Sequence, residues 1–208
     1  MSGLRLMVFD KTCVGGRVLP GLSTAWRSGA VLYRMLGRLD GTFGATSWDD
    51  ALGWLATFRD GEPVDEIQYW GHGNWGVVWV DRDRFDAGAF TVGHPLHARL
   101  EAVRERLAPD ALVWLRTCEA FGADRGIDFA ARFADFTGAR VAGHTFIIDA
   151  LQSGLHGVAP GVAPDWSPAE GILEGTPAAP KRARRSSPTA PRTVTCFDGA
   201  IPDGWIAT

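Results

Sequence analysis

His72 and Cys118 are the two residues in this chain whose types best suit covalent chemistry. A cysteine thiol becomes a thiolate with modest help, and an imidazole can take its proton or protonate a leaving group. Each follows a segment that reads as a buried strand. Ile67-Gln68-Tyr69-Trp70 runs into Gly71-His72-Gly73, and Ala111-Leu112-Val113-Trp114-Leu115 runs into Arg116-Thr117-Cys118. In open α/β sheets the reacting groups collect outside the carboxyl ends of the strands. One hairpin and one helix separate the two segments. A right-handed crossover then sets their strands side by side, about 4.8 Å apart. Gly73 has no Cβ, so its N–H can approach an oxyanion closely, and the Cys118 N–H is the second candidate donor.

The elements that must position this pair are legible from periodicity. Leu4 to Phe9 is an apolar run too short for a signal-peptide core, and it reads as a first buried strand. A Gly/Pro-rich loop from Gly15-Gly16 to Pro20-Gly21 leads to a helix beginning near Ser23, with Trp26, Ala30, Tyr33 and Leu36 on one face. Gly41 to Thr46 is a short strand. Ser47 then stands at an N-cap position with Asp49 and Asp50 in the first turn, and Leu52, Leu55 and Phe58 give that helix its apolar stripe. Gly76 to Val80 and Asp81 to Phe85 form a hairpin-like excursion beside His72. A helix is expected from about Pro95 to Leu107, closed by Pro109-Asp110, and another from about Asp124 to Phe136, stopped at Thr137-Gly138. Ala139 to Gly143 supplies a fifth strand. This alternation indicates a three-layer αβα sandwich with a mainly parallel sheet, and residues 1–208 are expected to form a single α/β domain. An exposed basic loop is expected at 176–192, carrying Lys181 to Arg185, and Thr193 to Phe197 is expected to return as a last edge strand.

Composition narrows the function classes. A formal charge of −3 with a pI near 5.9 lacks the basic footprint of a nucleic-acid binder. No stretch reaches the roughly 18 consecutive apolar residues of a membrane span, and the cytoplasm is the default location. Cys13, Cys118 and Cys196 are odd in number and widely spaced, which fits neither a disulfide framework nor CxxC metal spacing. His94 and His97 lack a suitable third zinc ligand nearby, so no metal or cofactor is expected. Trp75 and Trp79 flank the His72 loop as candidate groove residues, and His144, after the fifth strand, is a candidate substrate contact.

Ile67-Gln68-Tyr69-Trp70-Gly71-His72-Gly73-Asn74-Trp75-Gly76 and Leu112-Val113-Trp114-Leu115-Arg116-Thr117-Cys118-Glu119-Ala120-Phe121-Gly122 resemble the two motif blocks of the caspase-like cysteine peptidases, the clan of caspases, gingipains and separases. Small bacterial domains of that clan, reading Ser-His-Gly and later Gly-Cys, look closest. Phe136-Thr137-Gly138-Ala139 is similar to their turn after the cysteine-bearing helix. The resemblance spans roughly residues 67 to 143. It implies a caspase-like fold, a catalytic His72 and Cys118, and a protein or peptide substrate, with a regulatory partner protein as a further expectation. In members that cut after basic residues an acidic group lies in the first pocket. Asp149, Asp165 and Glu119 are the candidates for that place, and the Lys181 to Arg185 loop would be a self-processing site. Arg116 and Thr117 stand where many relatives carry a small residue. The alternative is a catalytically inactive caspase-like domain acting as a protein-interaction module. A serine hydrolase built on Ser153 lacks the strand-elbow-helix context of such enzymes.

Overall fold

The computed structural model describes residues 3–16, 21–202 and 204–208. The expected loop at Gly15 to Gly21 therefore lies partly outside the described residues, at 17–20. In chain order the elements are β1 (Leu4–Asp10), α1 (Leu22–Met35), β2 (Gly41–Ala45), α2 (Trp48–Thr57), β3 (Val64–Trp70), β4 (His72–Asn74), β5 (Val77–Val80) and β6 (Asp83–Asp86). A short 3₁₀ turn at Ala87–Phe90 leads to α3 (His97–Arg104), β7 (Leu107–Arg116), α4 (Ala123–Thr137) and β8 (Arg140–His144). The remainder comprises β9 (Leu151–Gln152), β10 (Leu155–Val158), β11 (Ile172–Thr176), β12 (Ala179–Ala183), β13 (Val194–Thr195) and β14 (Ile206–Ala207).

One sheet organises the molecule, in the order β14-β10-β8-β7-β3-β1-β2. Its pairs are parallel except β8 with β10. Strand side chains alternate between faces, and the sequence fills both. Leu6, Val8, Ile67, Tyr69, Val113 and Leu115 join the main core with α2, α3 and α4, whereas Met7, Phe9 and Trp70 pack with Ala30 and Tyr33 of α1. This is a mixed α/β fold with helices on both faces of a mainly parallel sheet. The apolar runs in β1 and β7 look continuous because each strand is covered twice.

The expected punctuation holds at α2, where the Ser47 side chain accepts a hydrogen bond from the Asp50 N–H. It holds also at α4, where Gly138 takes the left-handed conformation (φ 66°) and its N–H donates to the Ala134 carbonyl.

Three boundaries differ. α3 ends at Arg104, short of Leu107, because Arg106 turns inward to donate to the carbonyls of Leu55, Phe58 and Glu62 and its own carbonyl receives the Val64 N–H. Pro109 and Asp110 lie inside β7 as a bulge. The register jumps there from Val64 opposite Leu107 to Glu66 opposite Leu112, and Asp110 has a φ of 64°. Third, residues 176–192 are only partly loop, since β11 and β12 form an antiparallel hairpin that includes Lys181 and Arg182. The expected edge strand after Thr193 is also reassigned. β13 pairs with β9 in a separate ribbon, and β14 forms the sheet edge beside β10.

Candidate functional site

β3 and β7 are parallel neighbours, and their last residues, Trp70 and Arg116, are partners in register. Two residues beyond each stand His72 and Cys118. The loops that carry them are zipped together: the Trp75 N–H donates to the Glu119 carbonyl at 2.9 Å, Gly76 N–H to the Ala120 carbonyl at 2.9 Å, and Asn74 Nδ2 to Glu119 Oε1 at 2.7 Å. Gly73 lies so close to the second loop that a Cβ there would stand 2.5 Å from Thr117 Oγ1 and 2.6 Å from the Cys118 carbonyl oxygen. Its missing side chain thus serves close packing of the two loops, whatever else its N–H does.

His72 and Cys118 line one groove of about 560 Å³ on the α1 face of the sheet. Trp70 and Arg116 form its floor. Leu22, Trp26 and Leu32 of α1 make one wall, and Ile148, Asp149 and Phe197 the other. The His72 ring is exposed and meets the edge of Trp26, with centroids 5.4 Å apart and planes at 77°. The Cys118 thiol is partly buried and donates to the Ile148 carbonyl at 3.7 Å. Burial pushes its pKa up, reinforced by the Glu119 and Asp149 carboxylates and opposed by the Ile148 contact and Arg185. The resting sulfur is therefore a neutral thiol, and a thiolate needs a base beside it.

Sequence reasoning passed over the strongest feature of the floor. Arg116 is only 2% exposed and donates from Nε to Gln152 Oε1, from Nη1 to Tyr33 Oη and the Asp198 carbonyl, and from Nη2 to the Thr195 carbonyl. Its guanidinium also lies over the rings of Trp114 and Trp70, at 4.2 and 4.6 Å from their centroids. Trp26, Ile148 and Cys196 are further groove residues that sequence reasoning did not assign to a site. The signal for Arg116 was its place in an apolar strand. Ile148 and Cys196 gave none, because they reach the groove from the irregular C-terminal half.

The other expected site residues divide. Asp149 lines the groove, with its carboxylate receiving the Leu151 N–H at 2.9 Å. Trp75 does not. It adopts a φ of 32°, its indole nitrogen is buried without a partner, and the ring faces a different depression beside Arg125 and Asp128. Trp79, opposite His72 in the β4–β5 pair, is likewise not a groove residue. Glu119 is 7% exposed with a φ of 41°, and desolvation raises its pKa to about 7 against the hydrogen bond from Asn74. It braces the loop from behind the groove. His144 is fully buried, bridging Trp114 Nε1 and the Ser153 carbonyl, and burial lowers its pKa to about 3. With Nδ1 facing a carbonyl and Nε2 facing an indole N–H, its partners select the Nδ1–H tautomer. His144 is thus a core residue and not a substrate contact, because its ring is enclosed between the Trp114 indole and the chain at Ser153.

Asp165 pairs with Arg192 at 3.7 Å away from the groove, and Ser153 is buried against Thr193. His94 accepts from the Leu96 N–H, and His97 lies 3.7 Å from Glu101. In the basic segment, Arg184 and its neighbours are tied by backbone bonds, Ile147 N–H to the Arg184 carbonyl, Arg184 N–H to the Gly171 carbonyl and Ser186 N–H to the Ile147 carbonyl. Lys181, Arg182, Arg184 and Arg185 are exposed, while Ala183 between them is buried. Against known proteins, neither a family model nor a curated sequence matches this chain.

Proposed function

We propose that the protein is a caspase-like cysteine hydrolase that cleaves peptide bonds, with Cys118 as nucleophile and His72 as general base and acid. The observation that carries this reading is that both side chains line one groove beyond the carboxyl ends of two adjacent parallel strands. His72 takes the thiol proton as the sulfur attacks the substrate carbonyl, and it returns that proton to the leaving amine. Water then hydrolyses the thioester with His72 again as base. The N–H groups of Gly73 and Cys118 are the candidate donors to the oxyanion. Because burial disfavours the free thiolate, the proton passes to His72 as the sulfur attacks.

A peptide acyloxymethyl ketone, which occupies the groove as a substrate does, should label Cys118 in preference to Cys13 and Cys196 at pH 8. Cys118→Ala should abolish cleavage of a peptide library with circular dichroism unchanged, and His72→Ala should lower kcat by about 10²- to 10⁴-fold. Equal labelling of the three thiols, with cleavage indifferent to both substitutions, sinks the reading. One observation favours a second reading, a non-catalytic interaction module: the Cys118 thiol is partly buried and donates to the Ile148 carbonyl. In that case Cys118→Ala leaves partner binding intact, and Trp75→Ala weakens it.

A further inference from the structure

The geometry points to a substrate whose residue at the cleaved bond carries a bulky apolar side chain, which enters the groove between α1 and the chain around Ile148 and Phe197. This rests on the hydrolase reading and names the substrate class of the same site. The groove volume of about 560 Å³ lies within the range of ligand clefts, roughly 300–1,000 Å³. Apolar side chains make up most of its lining, with Asp149 at one rim. Leu22 is 49% exposed and Phe197 62% exposed at the two rims, an arrangement that leaves apolar surface in water until something covers it. At the centre, Gly29 of α1 packs so closely on the Trp70 ring that a Cβ there would stand 3.1 Å from it, which sets α1 low against the floor with no side chain between them.

Among the described residues, two charged side chains line the groove, Arg116 and Asp149, and both are hydrogen-bonded. Arg116 spends its hydrogen bonds on four neutral acceptors and is covered by aromatic faces, so its charge is not free to pair with a ligand. Asp149 holds the Leu151 N–H, sits exposed at the rim, and is screened by water. A charged substrate side chain would lose hydration without gaining a free partner, a cost that an apolar one does not meet.

The test uses acyloxymethyl ketone probes that alkylate the nucleophile, each built on one residue, phenylalanine, leucine, alanine, aspartate or arginine. The second-order rate of adduct formation on Cys118 is read by mass spectrometry. The phenylalanine and leucine probes should react roughly ten- to hundredfold faster than the alanine probe, and faster than both charged ones. Ala25 is exposed on the groove side of α1. Ala25→Phe should fill the wall and collapse the phenylalanine-to-alanine ratio toward one. An aspartate probe reacting fastest, an arginine probe reacting fastest, or a ratio unmoved by Ala25→Phe overturns the inference while leaving Cys118 as nucleophile. If no probe labels Cys118, the hydrolase reading fails and the groove is tested separately by the fluorescence of Trp26 and Trp70. Quenching by N-acetyl-phenylalanine amide but not by N-acetyl-alanine amide sustains the apolar preference, and equal response to both overturns it.

Discussion

At the scale of single residues, two buried ionisable groups near the candidate site carry opposite consequences. Glu119 has its pKa raised from 4.5 to about 7 by burial. An unfolded chain ionises this carboxyl first, so the folded state binds the extra proton between those pH values and stability falls as pH rises through that window. Glu119→Gln keeps an acceptor for Asn74 and removes the charge. Its melting temperature at pH 8 should exceed that of the unsubstituted protein, by an amount corresponding to on the order of 2 kcal/mol, with the difference vanishing near pH 4. A constant difference at both pH values would mean that packing, and not ionisation, sets it. Arg116 behaves in the other direction. Arg116→Met would leave Gln152, Tyr33 and the carbonyls of Thr195 and Asp198 without their donor. Denaturant melts should show a loss of roughly 3–5 kcal/mol, and hydrogen exchange should speed up first at residues 195–198.

At the scale of elements, the loops after β3 and β7 act as one unit. Gly73→Ala forces a Cβ to within 2.6 Å of the Cys118 carbonyl, a backbone contact with no flexible end to move aside. The loops must separate. We expect a stability loss of about 1–3 kcal/mol and a fall in kcat/KM of about a hundredfold, beyond what unfolding accounts for. A thermal melt beside the rate tells the two apart. Away from the site, Ser47→Ala removes the α2 cap and should cost about 1 kcal/mol, with Cys118 alkylation unchanged. The helices were legible because caps and apolar stripes are local. The β7 bulge was not, since Pro109-Asp110 reads as a helix stop and only the pairing with β3 turns it into part of a strand.

For the whole molecule, Glu119 and His144 compose a shared pH response. The His144 pKa falls from 6.5 to about 3 in the fold, so the unfolded chain binds the extra proton and stability drops as pH falls through that range. Between about pH 4.5 and 6.5 this slope opposes that of Glu119. The two contributions offset one another there, so the stability of Glu119→Gln relative to the unsubstituted protein should increase with pH across this window, measurable by urea titration of both.

What the amino-acid order determined alone is the helices, the parallel strands β1, β2, β3, β7 and β8, the doubly covered sheet, and the placement of His72 and Cys118 just beyond strand ends, because periods of two and 3.6 residues and their capping residues act over a few positions. What only the tertiary structure decided is which side chains share a cavity. Arg116 meets Gln152 and Tyr33 across separations of 36 and 83 residues, and Ile148 and Cys196 enter the groove from a segment with little periodicity of its own. Trp75 was turned away from the groove by a left-handed backbone, and His144 was drawn into the core between Trp114 and the chain at Ser153. Register and chain return are properties of long-range burial, and no local pattern encodes them.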